Sequence, residues 1–173
     1  MTNAVSAGAA VIDLADVREI CNSVPDPELP VVTIGDLGIV RHVAVSPSGA
    51  IDVVVTPTYS GCPATDVIRD DIRTALHDRG FGDVTVRTVL APAWTTDWIS
   101  RAGRRKLAEA GIVPPSARAS AGRNALVDLE IGVRCPRCGS IDTKLVSRFG
   151  STACQAMYRC VNCLEPFDRV KPH

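Results

Sequence analysis

Ile51-Asp52-Val53-Val54-Val55-Thr56-Pro57-Thr58-Tyr59-Ser60-Gly61-Cys62-Pro63 is the stretch from which the fold is read. Apolar side chains at 51, 53 and 55 alternate, the period of a half-buried strand. Beyond Pro63, the residues Ala64, Val67, Ile68, Ile72, Ala75 and Leu76 recur at helical spacing. The stretch is a strand, a Gly/Pro/Ser loop and a cysteine at the mouth of a helix. Pro63 suits the first helical position, where its missing N–H costs nothing. Cys62 then stands at about the N-cap, facing unpaired N–H groups and the positive end of the helix dipole. That placement predicts a lowered thiol pKa and a thiolate able to bind metal or attack an electrophile. The competing reading is a small buried hydrophobe.

Upstream, Ile39–Ser46 alternates as a strand, with Ile39, Arg41, Val43 and Val45 on one face. The turn Ser46-Pro47-Ser48-Gly49 makes it the antiparallel hairpin partner of Ile51–Thr56. Further upstream, Asp13 N-caps a helix carrying Leu14, Val17, Ile20 and Val24 on one side, ended by Pro25. Asp26 and Glu28 sit in the proline-stiffened turn Pro25-Asp26-Pro27-Glu28-Leu29-Pro30, where Asp26 can cap a local backbone group. Downstream, the helix from about Ala64 to Arg79 stops at Gly80, and Val84–Leu90 is a third strand. A right-handed strand–helix–strand crossover makes the second and third strands parallel. Thr95 or Thr96 caps a last helical region with Trp98, Ile99 and Leu107, interrupted at Gly103 and ended by Gly111 and Pro114-Pro115. The order predicts a compact α/β (α+β) domain, a three-stranded mixed sheet with helices, whose pattern closes on itself.

The chain has 173 residues, 46% hydrophobic and only 4% aromatic, so its core rests on Val, Ile, Leu and Ala. Residues 1–115 carry a net charge of −4 and residues 116–173 carry +4, which points to two units of different character. The expected division is a disordered N-terminus over 1–11, the α/β domain over 12–113, a linker over 114–126 and a cysteine-rich tail over 127–173. The N-terminus lacks the basic and apolar regions of a signal peptide, and no apolar run approaches the roughly 18 residues that span a membrane. Seven cysteines, five of them between 135 and 163, do not form a disulfide framework. A cytoplasmic protein with reduced thiols is expected. His42 and His77 are isolated and are read as surface or packed residues.

In the tail, Cys135-Pro136-Arg137-Cys138 and Cys160-Val161-Asn162-Cys163 are two CxxC knuckles with 21 residues between them. Two such knuckles supply four thiolates, the structural pattern for tetrahedral zinc. Iron held by the same thiolates is the alternative. Thr143–Ser147 and Ala156–Cys160 are strand-like, as in a zinc ribbon. Cys154 is too far from Cys160 to form a knuckle with it and is left outside the ligand set, as a possible additional thiol or a packed one. Zinc with four thiolates carries −2, leaving the tail about +2 with few aromatics, so no nucleic-acid partner is expected.

Asp26-Pro27-Glu28-Leu29-Pro30, Asp36-Leu37-Gly38-Ile39-Val40, Thr56-Pro57 with Gly61-Cys62-Pro63, and Trp94-Thr95-Thr96-Asp97 together resemble the SufT-like family of iron–sulfur assembly factors. Cys135-Pro136-Arg137-Cys138-Gly139-Ser140 and the run from Phe149 to Cys154, then Cys160, Cys163 and Glu165-Pro166-Phe167, resemble the tail of the PaaD (PaaJ) family of phenylacetate degradation. The resemblance runs from about Ile12 onward. It implies an accessory component of the phenylacetyl-CoA epoxidase, a multicomponent oxygenase, that assists maturation of iron–sulfur or metal centres rather than catalysing a reaction. It makes Cys62 the transfer thiol and Asp26 and Glu28 the acidic motif. It implies structural zinc, a transient iron–sulfur cluster, and as partners the oxygenase subunits, the iron–sulfur flavin reductase and the assembly machinery, with a homo-oligomer left open. The alternatives are a structural or electron-transfer subunit of the oxygenase and a thiol enzyme using Cys62.

Overall fold

The computed structural model describes residues 13–115 and 132–172. The expected disordered N-terminus, all of the linker beyond residue 115 and the first part of the tail's lead-in strand lie outside the described residues.

Helix α1 spans Leu14–Ser23, with the Asp13 carboxylate accepting from the Ala15 N–H at 2.8 Å. It buries Val17, Ile20 and Cys21. Strands β1 (Val40–Val45) and β2 (Ile51–Val55) pair antiparallel with Val43 opposite Val53. A bulge between Val40 and His42 breaks the strict alternation expected for β1, so Ile39 and Val43 are buried while Arg41 and His42 are exposed. Helix α2 (Thr65–His77) buries Ile68, Ile72 and Leu76 and delivers the chain to β3 (Val84–Thr88), which runs parallel to β2. The sheet order is β1-β2-β3, the mixed three-stranded sheet that the hairpin and crossover rules predict.

Two boundaries that bear on the site differ from expectation. Helix α2 starts at Thr65, with Ala64 as its N-cap. Cys62 therefore precedes the cap, and its carbonyl accepts from both the N–H and the hydroxyl of Thr65. The last helical region is a 3-10 turn at Thr96–Trp98 followed by α3 (Arg101–Glu109), capped by Ser100. Gly103 lies inside α3 and does not interrupt it. Its role is close approach, because a Cβ there would sit 2.8 Å from the Asp36 carbonyl oxygen.

The tail forms an antiparallel ribbon of β4 (Thr143–Ser147), β5 (Gln155–Cys160) and β6 (Pro166–Val170). Only the first two strands are legible in the sequence. The ribbon is docked on the first domain. The Val113 N–H donates to the Asp168 carbonyl and the Val170 N–H donates to Val113. Cys154 and Val170 join the same apolar cluster as Val17, Ile68 and Trp94. The first domain thus does not close its core entirely on itself, since the ribbon supplies part of one wall.

Candidate functional site

Cys62 opens onto a cavity of about 20 Å³ lined by Asp26, Glu28, Trp94, Cys154 and Val170, among others. One water needs about 10–15 Å³, so the space is atom-sized. Three structural devices build its first-domain side. Asp26 turns its Oδ1 back to accept from the N–H groups of Glu28 and Leu29 at 3.0 and 2.8 Å, folding the proline turn so that Glu28 faces the cavity. The turn chemistry expected of Asp26 is present, and it serves the site. Trp94 is 4% exposed and donates its Nε1–H to the Leu37 carbonyl at 2.8 Å. Gly38, at φ 69°, lets that loop pass the Trp98 backbone, where a Cβ would meet the carbonyl oxygen at 2.6 Å.

The electrostatics correct the expectation of an activated thiolate. Burial pushes the Cys62 thiol above its ordinary value, and Glu28 and Asp26 push it further. The Ala64 N–H and the Thr65 hydroxyl pull it back only in part. The helix mouth fails to lower it because the thiol is part-buried, α2 begins three residues later and two carboxylates stand nearby. Burial also raises Asp26, against the N–H groups of Leu29 and Glu28. Glu28 is raised by burial and by Asp26. Burial and the mutual repulsion of these acidic groups thus push all three in the same direction.

The four tail cysteines form a second, preassembled group. Their sulfurs all lie within 4.8 Å of one another, with Cys135 to Cys163 at 3.6 Å and Cys138 to Cys160 at 3.5 Å. A tetrahedron with metal–sulfur bonds of about 2.3 Å has edges of roughly 3.8 Å, so these sulfurs surround one metal position. The knuckles match each other. Gly139 follows Cys138 at φ 74°, and Leu164 follows Cys163 at φ 63°. The left-handed turn at a non-glycine residue is strained. It lets the Cys160 N–H donate to the Glu165 carbonyl, as the Cys135 N–H donates to Ser140. N–H groups of Cys163 and Asn162 draw the Cys160 thiol down to about 7. The Glu165 N–H draws Cys163 down too, but burial and the three neighbouring sulfurs outweigh it and raise that thiol. Four sulfurs gathered this closely have the geometry of a tetrahedral metal site.

Cys154 is outside this group, as its spacing implies, but it is not merely a spare residue. It is 7% exposed and lines the Cys62 cavity. The family resemblance names Glu28 along with Cys62 but leaves Cys154 outside any site. Its only sequence signal is the Phe149–Cys154 run, which says nothing about which domain the thiol faces. His42 and His77 do not line the cavity.

Comparison with known proteins agrees with the two-part architecture. Residues 119–171 match the PaaD zinc beta ribbon domain, and residues 14–88 match the Iron-sulfur cluster assembly protein family. The chain is 49% identical over 156 residues to an Escherichia coli (strain K12) protein named as a subunit of a "Putative 1,2-phenylacetyl-CoA epoxidase", covering 90% of this chain and 91% of that protein. It is 39% identical over 77 residues to the Fe-S protein maturation auxiliary factor SufT of Staphylococcus aureus (strain USA300), covering 44% of this chain and 86% of that one. A crystal structure of a domain of unknown function, DUF59, from Bacillus anthracis superposes with a TM-score of 0.51 at 27% identity, over 54% of this chain and 90% of that one. With its SufT-like domain joined to a PaaD-type zinc ribbon over nearly its whole length, the chain belongs to the PaaD family.

Proposed function

We propose that this protein is a non-catalytic accessory component of the phenylacetyl-CoA epoxidase system that helps load iron–sulfur or other metal centres into the oxygenase and its iron–sulfur flavin reductase. Cys62 is the transfer thiol, with Asp26 and Glu28 as the acidic groups beside it. Zinc is the resident ion of Cys135, Cys138, Cys160 and Cys163. The iron or iron–sulfur unit is cargo. The observation that carries this reading is the placement of Cys62 with two carboxylates around one atom-sized cavity. A sulfur and carboxylate donor set suits transient binding of a thiophilic cation. Assembly partners act on it in the cytoplasm, where all seven cysteines, none of them in a disulfide, stay reduced.

A thiol enzyme is disfavoured. Burial, and with it the two carboxylates, raises the Cys62 pKa, and no histidine lines its cavity. The resident metal of the ribbon has all four positions filled by protein sulfur, which suits structure better than chemistry.

The test is growth on phenylacetate in a strain lacking the gene, with iron content of the reductase measured alongside. Wild-type protein restores both. Cys62→Ser, with an unchanged melting curve, restores neither. Full growth and a fully loaded reductase with Cys62→Ser would remove the transfer role.

A further inference from the structure

We propose that Cys154 of the ribbon is the second sulfur ligand of the Cys62 site, so that the two domains together hold a single divalent first-row metal ion, with Glu28 as a further ligand. This rests on the reading of Cys62 as the cargo thiol and adds to it the second thiol, the size of the cargo and the reason the ribbon is there.

Both thiols line the same cavity, although they come from different domains. Neither belongs to the four-sulfur group of the ribbon. Asp26, Glu28 and Thr58 complete the polar lining, and no lysine, arginine or histidine lines the cavity. Two thiols and two carboxyl groups with no cation among them form a donor set in search of one. Sulfur with carboxylate suits a borderline first-row ion, and ferrous iron is the one the proposed function requires.

The segment carrying Cys154 is shaped to present it. The Lys171 N–H donates to the Cys154 carbonyl at 2.9 Å, and Lys171 Nζ donates to the Ala153 carbonyl at 2.7 Å. The Thr152 hydroxyl lies 3.0 Å from the Cys154 sulfur. Gly150 leaves no room for a side chain, since a Cβ there would collide with the Asp168 carboxylate.

Size selects the cargo. The cavity is narrow, about 20 Å³, which matches a single ion. Among the described residues only the ribbon sulfurs are already gathered to ligating distance. Loading of the Cys62–Cys154 pair therefore requires the two sulfurs to draw together onto the ion. Each thiol gives its proton to solvent as its bond to the metal forms, and no electron moves. Two thiolates and Glu28 leave the loaded site with one net negative charge.

The experiment uses the zinc-loaded full chain under anaerobic conditions. Cobalt(II) is the spectroscopic probe and ferrous iron the second titrant. The wild type should bind one ion beyond the resident zinc, with a thiolate-to-cobalt charge-transfer band and two sulfur neighbours by X-ray absorption. Cys154→Ser should keep one sulfur neighbour. It should weaken iron binding by at least the roughly 10–100-fold that loss of even an outer-sphere partner costs. Cys62→Ser should do the same. If the wild-type ion has one sulfur neighbour, or Cys154→Ser binds like wild type while Cys62→Ser does not, this inference fails and the Cys62 reading stands. If Cys62→Ser also binds like wild type, or the wild type binds no second ion, both fail. The wild-type sulfur count decides even if a variant is poorly folded.

Discussion

Lys106 Nζ lies 2.6 Å from Asp36 Oδ2, joining α3 to the loop whose next residue, Leu37, lines the Cys62 cavity. The Asp36 side chain is only 10% exposed. It also accepts from the Ser100 hydroxyl at 3.1 Å and the Thr33 N–H at 3.2 Å. Burial alone would raise this carboxyl, but the bonds from Lys106, Thr33 and Ser100 hold it below its ordinary value.

Asp36→Asn should therefore destabilise the protein at neutral pH by about 1–3 kcal/mol. Lys106 is 40% exposed, so the charge attraction itself contributes less than about 1 kcal/mol. Most of the loss comes from donors left poorly paired. The sign follows from the lowered folded pKa. Stability from the ionised carboxylate is present above the unfolded value of about 3.9 and is lost as pH falls through the folded value. Denaturant melts at pH 7 and pH 3 should show the gap between wild type and Asp36→Asn closing on acidification. An equal gap at both pH values would remove the ionised carboxylate as its source.

Gly38 and Gly103 make the same junction possible from the backbone side. Gly38→Ala combines a φ of 69° with a Cβ 2.6 Å from the Trp98 carbonyl oxygen. Gly103→Ala places a Cβ 2.8 Å from the Asp36 carbonyl oxygen. Each should cost at least the roughly 1–3 kcal/mol of an overpacked core. Gly80→Ala is the control. Its φ is 88°, but nothing lies within 4 Å, so only the left-handed strain of about 1–2 kcal/mol applies. Melting curves of the three variants should place Gly80→Ala highest.

Removing the ribbon metal should unfold the ribbon and leave the first domain standing. The ribbon's own apolar cluster is small, centred on Val133, Ala156, Tyr158 and Phe167. Structural zinc in small domains contributes an apparent 10–16 kcal/mol at neutral pH, far beyond what such a cluster supplies. Metal analysis should give about one zinc per chain for one four-ligand site. Cys160→Ser should lose that zinc and the amide protection of β5, while α1 and α2 remain protected from exchange. Retained zinc with an ordered ribbon would overturn the ligand assignment.

Much of this fold could be read from side-chain periodicity. The hairpin of β1 and β2, the parallel placement of β3 and the knuckles follow from alternation, crossover handedness and CxxC spacing. What periodicity missed depends on long-range contact. Gly103 resembles a helix breaker until the Asp36 carbonyl is brought against it. The bulge near Arg41 leaves no mark in composition. Strand β6 hides because Pro166-Phe167-Asp168-Arg169-Val170 is short and charged, and it is stabilised by pairing with β5. The place of Cys154 against Cys62 is set by docking of the ribbon through Val113 and Val170, which no local pattern encodes.

Cys62 should titrate as a protonated thiol at neutral pH, opposite to the behaviour of a helix-mouth thiolate. Burial is the first cause, and Glu28 and Asp26 add to it against the Ala64 N–H and the Thr65 hydroxyl. Alkylation followed by peptide mass spectrometry across pH should give Cys62 a midpoint above the free-thiol value of about 8.5. Two variants separate the causes. Glu28→Gln removes a negative neighbour and should lower the midpoint. Val170→Ala removes ribbon packing at the cavity wall, admits water and should lower it by relieving desolvation. Cys21 is an internal reference. It is fully buried in the core and its thiol is pushed up to about 11, so it should react last in all three proteins. A Cys62 midpoint below 8.5 in the wild type would restore the thiolate reading and make the carboxylates too distant to matter. An unchanged midpoint in Glu28→Gln with a lowered one in Val170→Ala would assign the shift to burial alone.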